Sequence, residues 1–597
     1  MTSEVIIRRR VHPLGKPKSL PKRRDRWPRC ELIVHSRLDA TGKVEVGSVL
    51  TLAGDVVVRE RLIYGGAAPT DELVAYAATH RARTIAGASR RIELVSRAKA
   101  GRLFRTRGYR RGHAIVTAGV ASQLSGLADS WTESSAHPGA WSLGLAGLGS
   151  PYRGRSFKLY RDAPGVLLTP IGDVVLAGWS GTAPDEVPPD GKRRRPPARR
   201  GPILDVLAAG AALAGKPPSG LAAACAAFEV ETPVLGDHPI DQLRAETLAI
   251  AELYRVEMDV VRELALGMDP STLVSTGGVA TAVLREAGVP ALAGRLDLPD
   301  QVAGAAASAF FGGLCAALVV HVPVRTVELD ISGTFARGAS AVGTQDLLLA
   351  EHVEVRDARH WAPGLLAQVG TGSAPLGRDV LRRLGRVLVH ATPEGQVLPV
   401  KAVRDHEARL VMAPVFDPGW WWATDLLAGA AVSGGEVAPI DDALEMAPVG
   451  VVPGLRPVRL PTGQLVDLTC DDLAIALLDE RAAVKADDRL PAWRRELLDG
   501  LLKGLAVTVF YGNLARIDRE RLSSPALDEA LGPDGERVGV LHPYRERPGP
   551  YASLALAGMV TAMARLMVCR AIGRIEAAGG TVLALNVDSI LVAATDG

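Results

Sequence analysis

Apolar and polar positions alternate from Glu31 to Val58 with one break around Asp39-Ala40-Thr41-Gly42, which predicts two strands joined by a turn. Helical and strand-like segments follow to about residue 180. The pattern then disappears over 181–201, where Pro, Asp, Lys and Arg dominate, as in an exposed linker. Over 203–266 apolar residues recur at helical spacing, with Ile203, Val206, Leu207, Leu248, Leu253 and Tyr254 on the apolar faces. A mixed α/β stretch begins near residue 300. Between about 470 and 525 the spacing predicts a pair of amphipathic helices interrupted near Pro491. A long helix over about 552–578 leads into a last strand, tight turn and strand, from Gly579 to Val592, with Asp588 at the turn. The apolar run Val302–Val324 could pass for a membrane span. Gly312-Gly313 interrupts it, and it reads instead as buried helix, turn and core strand. No solenoid repeat is visible.

Length and composition narrow the classes. A chain of 597 residues with 47% hydrophobic content fits a globular protein of three or four domains. The net charge of +3 says less than its distribution. Arg8-Arg9-Arg10, Lys16, Lys18, Lys22-Arg23-Arg24, Arg26 and Arg29 make a basic N-terminal arm, and Lys192 to Arg195 with Arg199-Arg200 a second basic run. Such runs neutralise phosphates, although a solvated tail and linker fit each run equally well. Five scattered cysteines without Cys-x-x-Cys favour a reducing compartment and give no zinc site. The charged N-terminus lacks the apolar core of a secretory signal, so the expected location is cytoplasmic, without membrane. The histidines lack His-Glu-x-x-His spacing and no Gly-x-Ser-x-Gly elbow occurs, which argues against zinc hydrolases and α/β-hydrolases.

Candidate chemistry centres on two aspartates. Asp588 lies in Asn586-Val587-Asp588-Ser589, and Asp330 ends a similar strand, Val327-Glu328-Leu329-Asp330-Ile331-Ser332. On neighbouring strands of one sheet they can hold the paired metal ions of phosphoryl transfer, although ordinary hairpins also carry Asp-Ser turns. Arg481 and Lys485 are four apart and share a helix face; Lys503 and Tyr511 are eight apart and fall on roughly one side of the next helix. An antiparallel pair can aim Arg481, Lys485 and Lys503 at one triphosphate, with Tyr511 near the base. A solvated basic face is the bland alternative. Trp420-Trp421-Trp422 can stack on bases, with core packing the favoured reading.

These pieces, in this order, resemble the family B DNA polymerases, especially the mobile-element and plasmid types. Phe310-Phe311-Gly312-Gly313 and Asp330-Ile331-Ser332-Gly333-Thr334-Phe335-Ala336 are similar to the opening of the family's palm and its first motif, Asp-x-x-Ser-Leu-Tyr-Pro. By resemblance Phe335 abuts the sugar and excludes a 2′-hydroxyl. Lys503 through Tyr511-Gly512 is similar to the second motif, with Val507-Thr508 at the usual Asn-Ser, and Arg481 and Lys485 match basic fingers positions. Asn586-Val587-Asp588-Ser589 resembles the third motif, Asp-Thr-Asp-Ser, its first acid replaced by Asn586 and the preceding tyrosine by Ala584.

The resemblance implies an α/β, multidomain fold: a ribonuclease H-like exonuclease-type domain followed by a polymerase palm with helical fingers. The expected divisions are a basic arm (1–29), a degenerate 3′–5′ exonuclease-like domain (30–265, linker 181–201), a first palm part with an insertion (266–465), fingers (466–530) and a second palm part (531–597) ending before a thumb. His35 and Arg37 stand at the exonuclease's first acid places, Gln123 at a later one, and Glu246 at the last, so proofreading is expected to be absent. The implied activity is DNA-directed DNA polymerisation, with Asp330 and Asp588 as catalytic and metal-holding residues. Arg481, Lys485, Lys503, Tyr511 and Phe335 are the implied substrate-binding residues. The implied cofactor is Mg²⁺, two ions, with Mn²⁺ as a substitute. Implied partners are primer–template DNA, deoxynucleoside triphosphates and a separate polypeptide supplying the thumb. The alternative is a catalytically inactive polymerase-like protein that binds DNA or assembles with replication partners.

Overall fold

The computed structural model describes residues 6–7, 12–14, 30–54, 56–82, 91–133, 140–145, 166–171, 174–179, 202–214, 219–264, 266–267, 273, 275–293, 295–319, 324–404 and 407–594. Most of the basic arm and the linker 181–201 therefore lie outside the described residues. The chain forms two compact units of mixed α/β structure. The N-terminal unit is Pro21–Ala282 with Val484–Leu501; the C-terminal unit is Met1–Leu20, Val283–Ala483 and Leu502–Gly597.

The N-terminal unit is built on a six-stranded sheet. The alternating segment forms β1 (Cys30–Leu38) and β2 (Val44–Ala53), and β3 (Val56–Tyr64) continues the antiparallel meander. Asp39 makes the β1–β2 turn by accepting from the backbone N–H groups of Thr41 and Lys43. After α1 (Asp71–Thr79), the strands β4 (Glu93–Ser96) and β5 (Ala114–Thr117) pair in parallel with β3 and β1 respectively. The helix α2 (Val120–Gly126) follows β5. The segment after residue 203 is not wholly helical. It opens with β6 (Ile203–Asp205), parallel to β5, before α3 (Val206–Ala214) and the long α4 (Pro239–Glu263). Because side chains alternate across a strand, Leu32 and Val34 join Phe104, Ile115 and Leu124 in one core, while β3 sends Leu62 to a second core with Leu73, Tyr76 and Ile240. Each such side chain contributes about 1.5–3 kcal/mol when fully buried.

In the C-terminal unit α5 (Asp300–Ser308) is buried, but the strand after it, β7 (Cys315–Ala317), is not the core strand expected within Val302–Val324. It lies at the edge of a four-stranded sheet in the order β7-β11-β12-β8, where β8 is Thr326–Asp330, β11 Val582–Asn586 and β12 Ser589–Ala593. An edge strand is covered on one side only, which leaves Cys315 exposed. The helix α6 (Thr334–Val342) follows β8 directly. Further on, Trp420, Trp421 and Trp422 are 5%, 2% and 0% exposed, so they pack in the core and do not offer stacking faces. Trp422 leads into α7 (Ala423–Val432).

The helix pair is present as α8 (Leu473–Ala486) and α9 (Ala492–Val507), with Pro491 between them. Helix ends at Gly512 rather than near 525, in a π-helical turn from Thr508 to Gly512. A long hairpin follows, β9 (Ile517–Leu531) and β10 (Arg537–Pro548), and then α10 (Leu554–Ala577). Helix α10 is long and apolar enough to cross a membrane, yet 83% of its most apolar window is buried inside the protein. Two short pieces of the N-terminal arm are described. Ile6–Ile7 pairs with Ala402–Val403, and His12–Pro13 with Ala530–Leu531.

Candidate active site

Strand register brings the two sequence-predicted aspartates together. In the antiparallel pair β8–β12, Asp330 stands opposite Ser589, one residue past Asp588, and the Ile331 N–H donates to the Asp588 carbonyl at 3.0 Å. The β11–β12 connection is tight: the Asp588 N–H donates back to the Asn586 carbonyl at 2.7 Å, which closes a turn centred on Val587. Val587 has φ +60°, a conformation that β-branched residues rarely adopt. Strain of this kind persists only where the surroundings enforce it. Here the Val587 N–H donates to the Leu314 carbonyl at 2.7 Å.

The electrostatics match two carboxylates facing one space. The Asp588 carboxyl is held above the usual carboxylate range, first by burial and then by the charge of Asp330, while Lys503 pulls it back down. Among the described residues neither aspartate has an ion-pair partner, and no group of three His, Cys, Asp or Glu side chains gathers to hold a metal. Asn586 occupies the neighbouring strand end, where its Oδ1 accepts from the Cys315 thiol at 3.6 Å.

The aromatic candidates also meet. Phe335, in the first turn of α6, stacks on Tyr511 with ring centroids 4.6 Å apart and planes 8° from parallel. The entry into α6 depends on Gly333, whose φ is +69° and whose missing Cβ would fall 2.8 Å from Leu478 Cδ2. Lys503 lies exposed on α9 in the C-terminal unit, and Arg481 lies half-buried on α8 in the same unit. Lys485 belongs to the N-terminal unit, where its Nζ is 3.5 Å from Asp499 Oδ1.

The N-terminal unit gathers some of the remaining candidates. On one face of β1, His35 Nε2 is 3.1 Å from Glu246 Oε2, and Arg37 donates to Gln242 Oε1 at 3.2 Å; Gln242 in turn donates to Glu246. Burial lowers the His35 pKa, opposed by Glu246 and reinforced by Arg37. Gln123 is elsewhere. It accepts from Ser36 at 2.6 Å and donates to the Ser36 carbonyl, on the opposite face of β1. Adjacent strand residues point to opposite sides, so Ser36–Gln123 cannot share a site with His35 and Arg37.

Sequence reasoning missed the support beneath the aspartates. Arg565 of α10 is 1% exposed and forks onto Asp425 of α7 at 2.7 and 3.0 Å, while its third nitrogen donates to the Gly312 carbonyl. An arginine inside a long apolar helix was the available signal, because a buried cation requires a partner.

Neither protein-family models nor curated proteins give a match. Among solved structures the chain is similar to phi29 DNA polymerase complexed with primer-template DNA and incoming nucleotide substrates, at 10% identity and a TM-score of 0.44, covering 96% of this chain and 82% of that one. It is also similar to phi29 DNA polymerase complexed with single-stranded DNA, with 10% identity, a TM-score of 0.42 and coverage of 96% and 81%. The family B DNA polymerase of the hyperthermophilic archaeon Pyrobaculum calidifontis gives 12% identity, a TM-score of 0.32 and coverage of 99% and 58%.

Proposed function

We propose that this chain is a DNA-directed DNA polymerase of the family B type, working without proofreading. The observation that carries the reading is the placement of Asp330 and Asp588 on adjacent antiparallel strands, with Lys503 close enough to act on Asp588. Magnesium is typically held by one or two carboxylates together with waters and substrate phosphates. The mutual repulsion of Asp330 and Asp588 fits such an ion, which would be bound by these two residues. When bound, a divalent ion neutralises charge on the transferring phosphoryl group. Asn586 is neutral and supplies no third carboxylate.

The other roles belong to the chain's own residues. Lys503 and Arg481 bind triphosphate oxygens, and Phe335 and Tyr511 present rings to the sugar and base of the incoming deoxynucleotide. In the reaction the primer 3′-oxygen bonds to the α-phosphorus, the bond to the β-phosphate oxygen breaks, pyrophosphate leaves, and the hydroxyl proton passes to solvent. In this reading 30–265 is a relic of a ribonuclease H-like exonuclease, since Glu246 is engaged by His35 and Gln242.

One observation favours a second reading. Asn586 beside the aspartates removes charge from the place where metal binding needs it, as in a non-catalytic polymerase-like protein that binds DNA. Primer extension with Mg²⁺ or Mn²⁺ separates the two. Extension that D330A and D588A both abolish supports the enzyme; binding of primer–template with no extension supports the second reading.

A further inference from the structure

We infer that Arg565 is a positioning residue for Asp588, acting through the Gly312-Gly313 segment and the Val587 turn. Its catalytic consequence rests on the polymerase reading; its structural content does not.

The contacts form a continuous chain. Arg565 is buried on α10 and fixed in orientation by two hydrogen bonds to Asp425, which is itself 0% exposed. Burial pushes the Asp425 carboxyl pKa up and Arg565 pulls it back down. A planar guanidinium held by one carboxylate has its remaining nitrogen aimed in a set direction. That nitrogen donates to the Gly312 carbonyl, and the guanidinium carbon lies 5.6 Å from the centre of the Phe311 ring. The segment 311–314 is thus held from the core side. Gly312 adopts φ +92°, which glycine alone takes without strain.

The same segment supports the Val587 turn on its other side. Leu314 accepts the Val587 N–H at 2.7 Å. Gly313 lies flush beneath the Val587 side chain: a Cβ on Gly313 would fall 2.9 Å from Val587 Cγ1 and 3.1 Å from Cγ2. A left-handed β-branched residue does not hold its place by its own preference. The hydrogen bond from below and the close packing of Gly313 hold it there, and Asp588 is the next residue. A small displacement of a reacting constellation by residues remote from the chemistry costs on the order of a hundredfold in rate. Arg565 touches no candidate substrate position, so it acts through the turn.

Gly313 offers a clean probe because its own φ is not positive, and alanine there is opposed only by the Val587 methyls. G313A should lower primer extension about a hundredfold with little change in melting temperature. Adding V587A should recover at least about tenfold of that loss, a non-additivity expected only for residues in contact. R565K, which cannot reproduce the fork, should speed hydrogen exchange at the Val587 amide while α10 amides remain protected. Wild-type activity in G313A, or strict additivity in the double variant, would overturn the inference, as would unchanged Val587 exchange in R565K. If the wild-type chain extends no primer, the polymerase reading fails, and the exchange measurement still decides the positioning claim.

Discussion

The two units treat their polar candidates in opposite ways. In the N-terminal unit every residue at an implied exonuclease position is engaged within the protein: Glu246 by His35 and Gln242, Arg37 by Gln242, and Gln123 by Ser36. In the C-terminal unit Asp330 and Asp588 face one another's charge with no ion-pair partner among the described residues. Groups that satisfy one another have little left to offer a ligand, and their hydrogen bonds stabilise the fold. Unpaired like charges cost stability and persist where something outside the chain repays them. The contrast is between polar groups that satisfy one another and a pair of carboxylates with no ion-pair partner among the described residues.

Several measurements would break or sharpen this contrast. The largest effect is expected from D330A and D588A. Each should reduce primer extension by about 10³-fold or more without lowering the melting temperature, since removing either carboxylate relieves repulsion. A marked loss of stability would instead make the pair structural. Next comes the N-terminal unit's buried pair, in which Arg244 forks onto Glu60 and also reaches Tyr76. Burial pushes the Tyr76 hydroxyl up to about 12. E60A removes the forked carboxylate from a buried guanidinium, which keeps only Asp241 as a counter-charge at 3.5 Å, and should cost about 3–5 kcal/mol in chemical denaturation, with primer extension by the folded fraction unchanged.

A smaller effect concerns Glu257 of α4, which is 0% exposed and whose two carboxyl oxygens have no hydrogen-bond partner. Burial, with the charge of Asp205 behind it, raises its pKa well above the ordinary carboxylate value. The folded state therefore holds a proton that the unfolded state releases. Stability from this group is present below the unfolded pKa and declines as pH rises toward the folded pKa. E257M should remove that decline and stabilise the unit by about 1–3 kcal/mol at neutral pH, read from urea midpoints between pH 5 and 9. An unchanged slope would place the pH dependence elsewhere. The mildest change is N586D, which adds a carboxylate beside the aspartates and should tighten Mn²⁺ binding by about tenfold, seen by titration calorimetry. H35D in the N-terminal unit should create no exonuclease activity, because Arg37 and Gln242 still fill the face.

Much of the secondary structure was legible in the pattern of residues. The β1–β2 hairpin, the α8–α9 pair around Pro491, and α10 followed by the terminal hairpin all follow from periodicity and breakers, which are local properties. The pairing of Asp330 with the Asp588 turn was legible as well, because Asp330 ends a recognisable strand and Asp588 sits in the turn of a recognisable hairpin. The failures are non-local. Gln123 was grouped with His35 although strand alternation sends its partner Ser36 to the other face. Segment β7 was expected in the core, but its apolar residues lie at a sheet edge. The Trp420–Trp422 run carried both readings until packing decided for the core.

What the sequence alone determined is most of the elements and the place of two aspartates, one at a strand end and one at a hairpin turn, since hydrophobic period and residue type act over a few residues at a time. Tertiary structure decided which groups are satisfied internally and which are not. It paired Arg565 with Asp425 across 140 positions, stacked Phe335 on Tyr511, and set Gly313 beneath Val587. Those contacts depend on strand register and helix packing, which emerge only when distant segments compete for the same buried space.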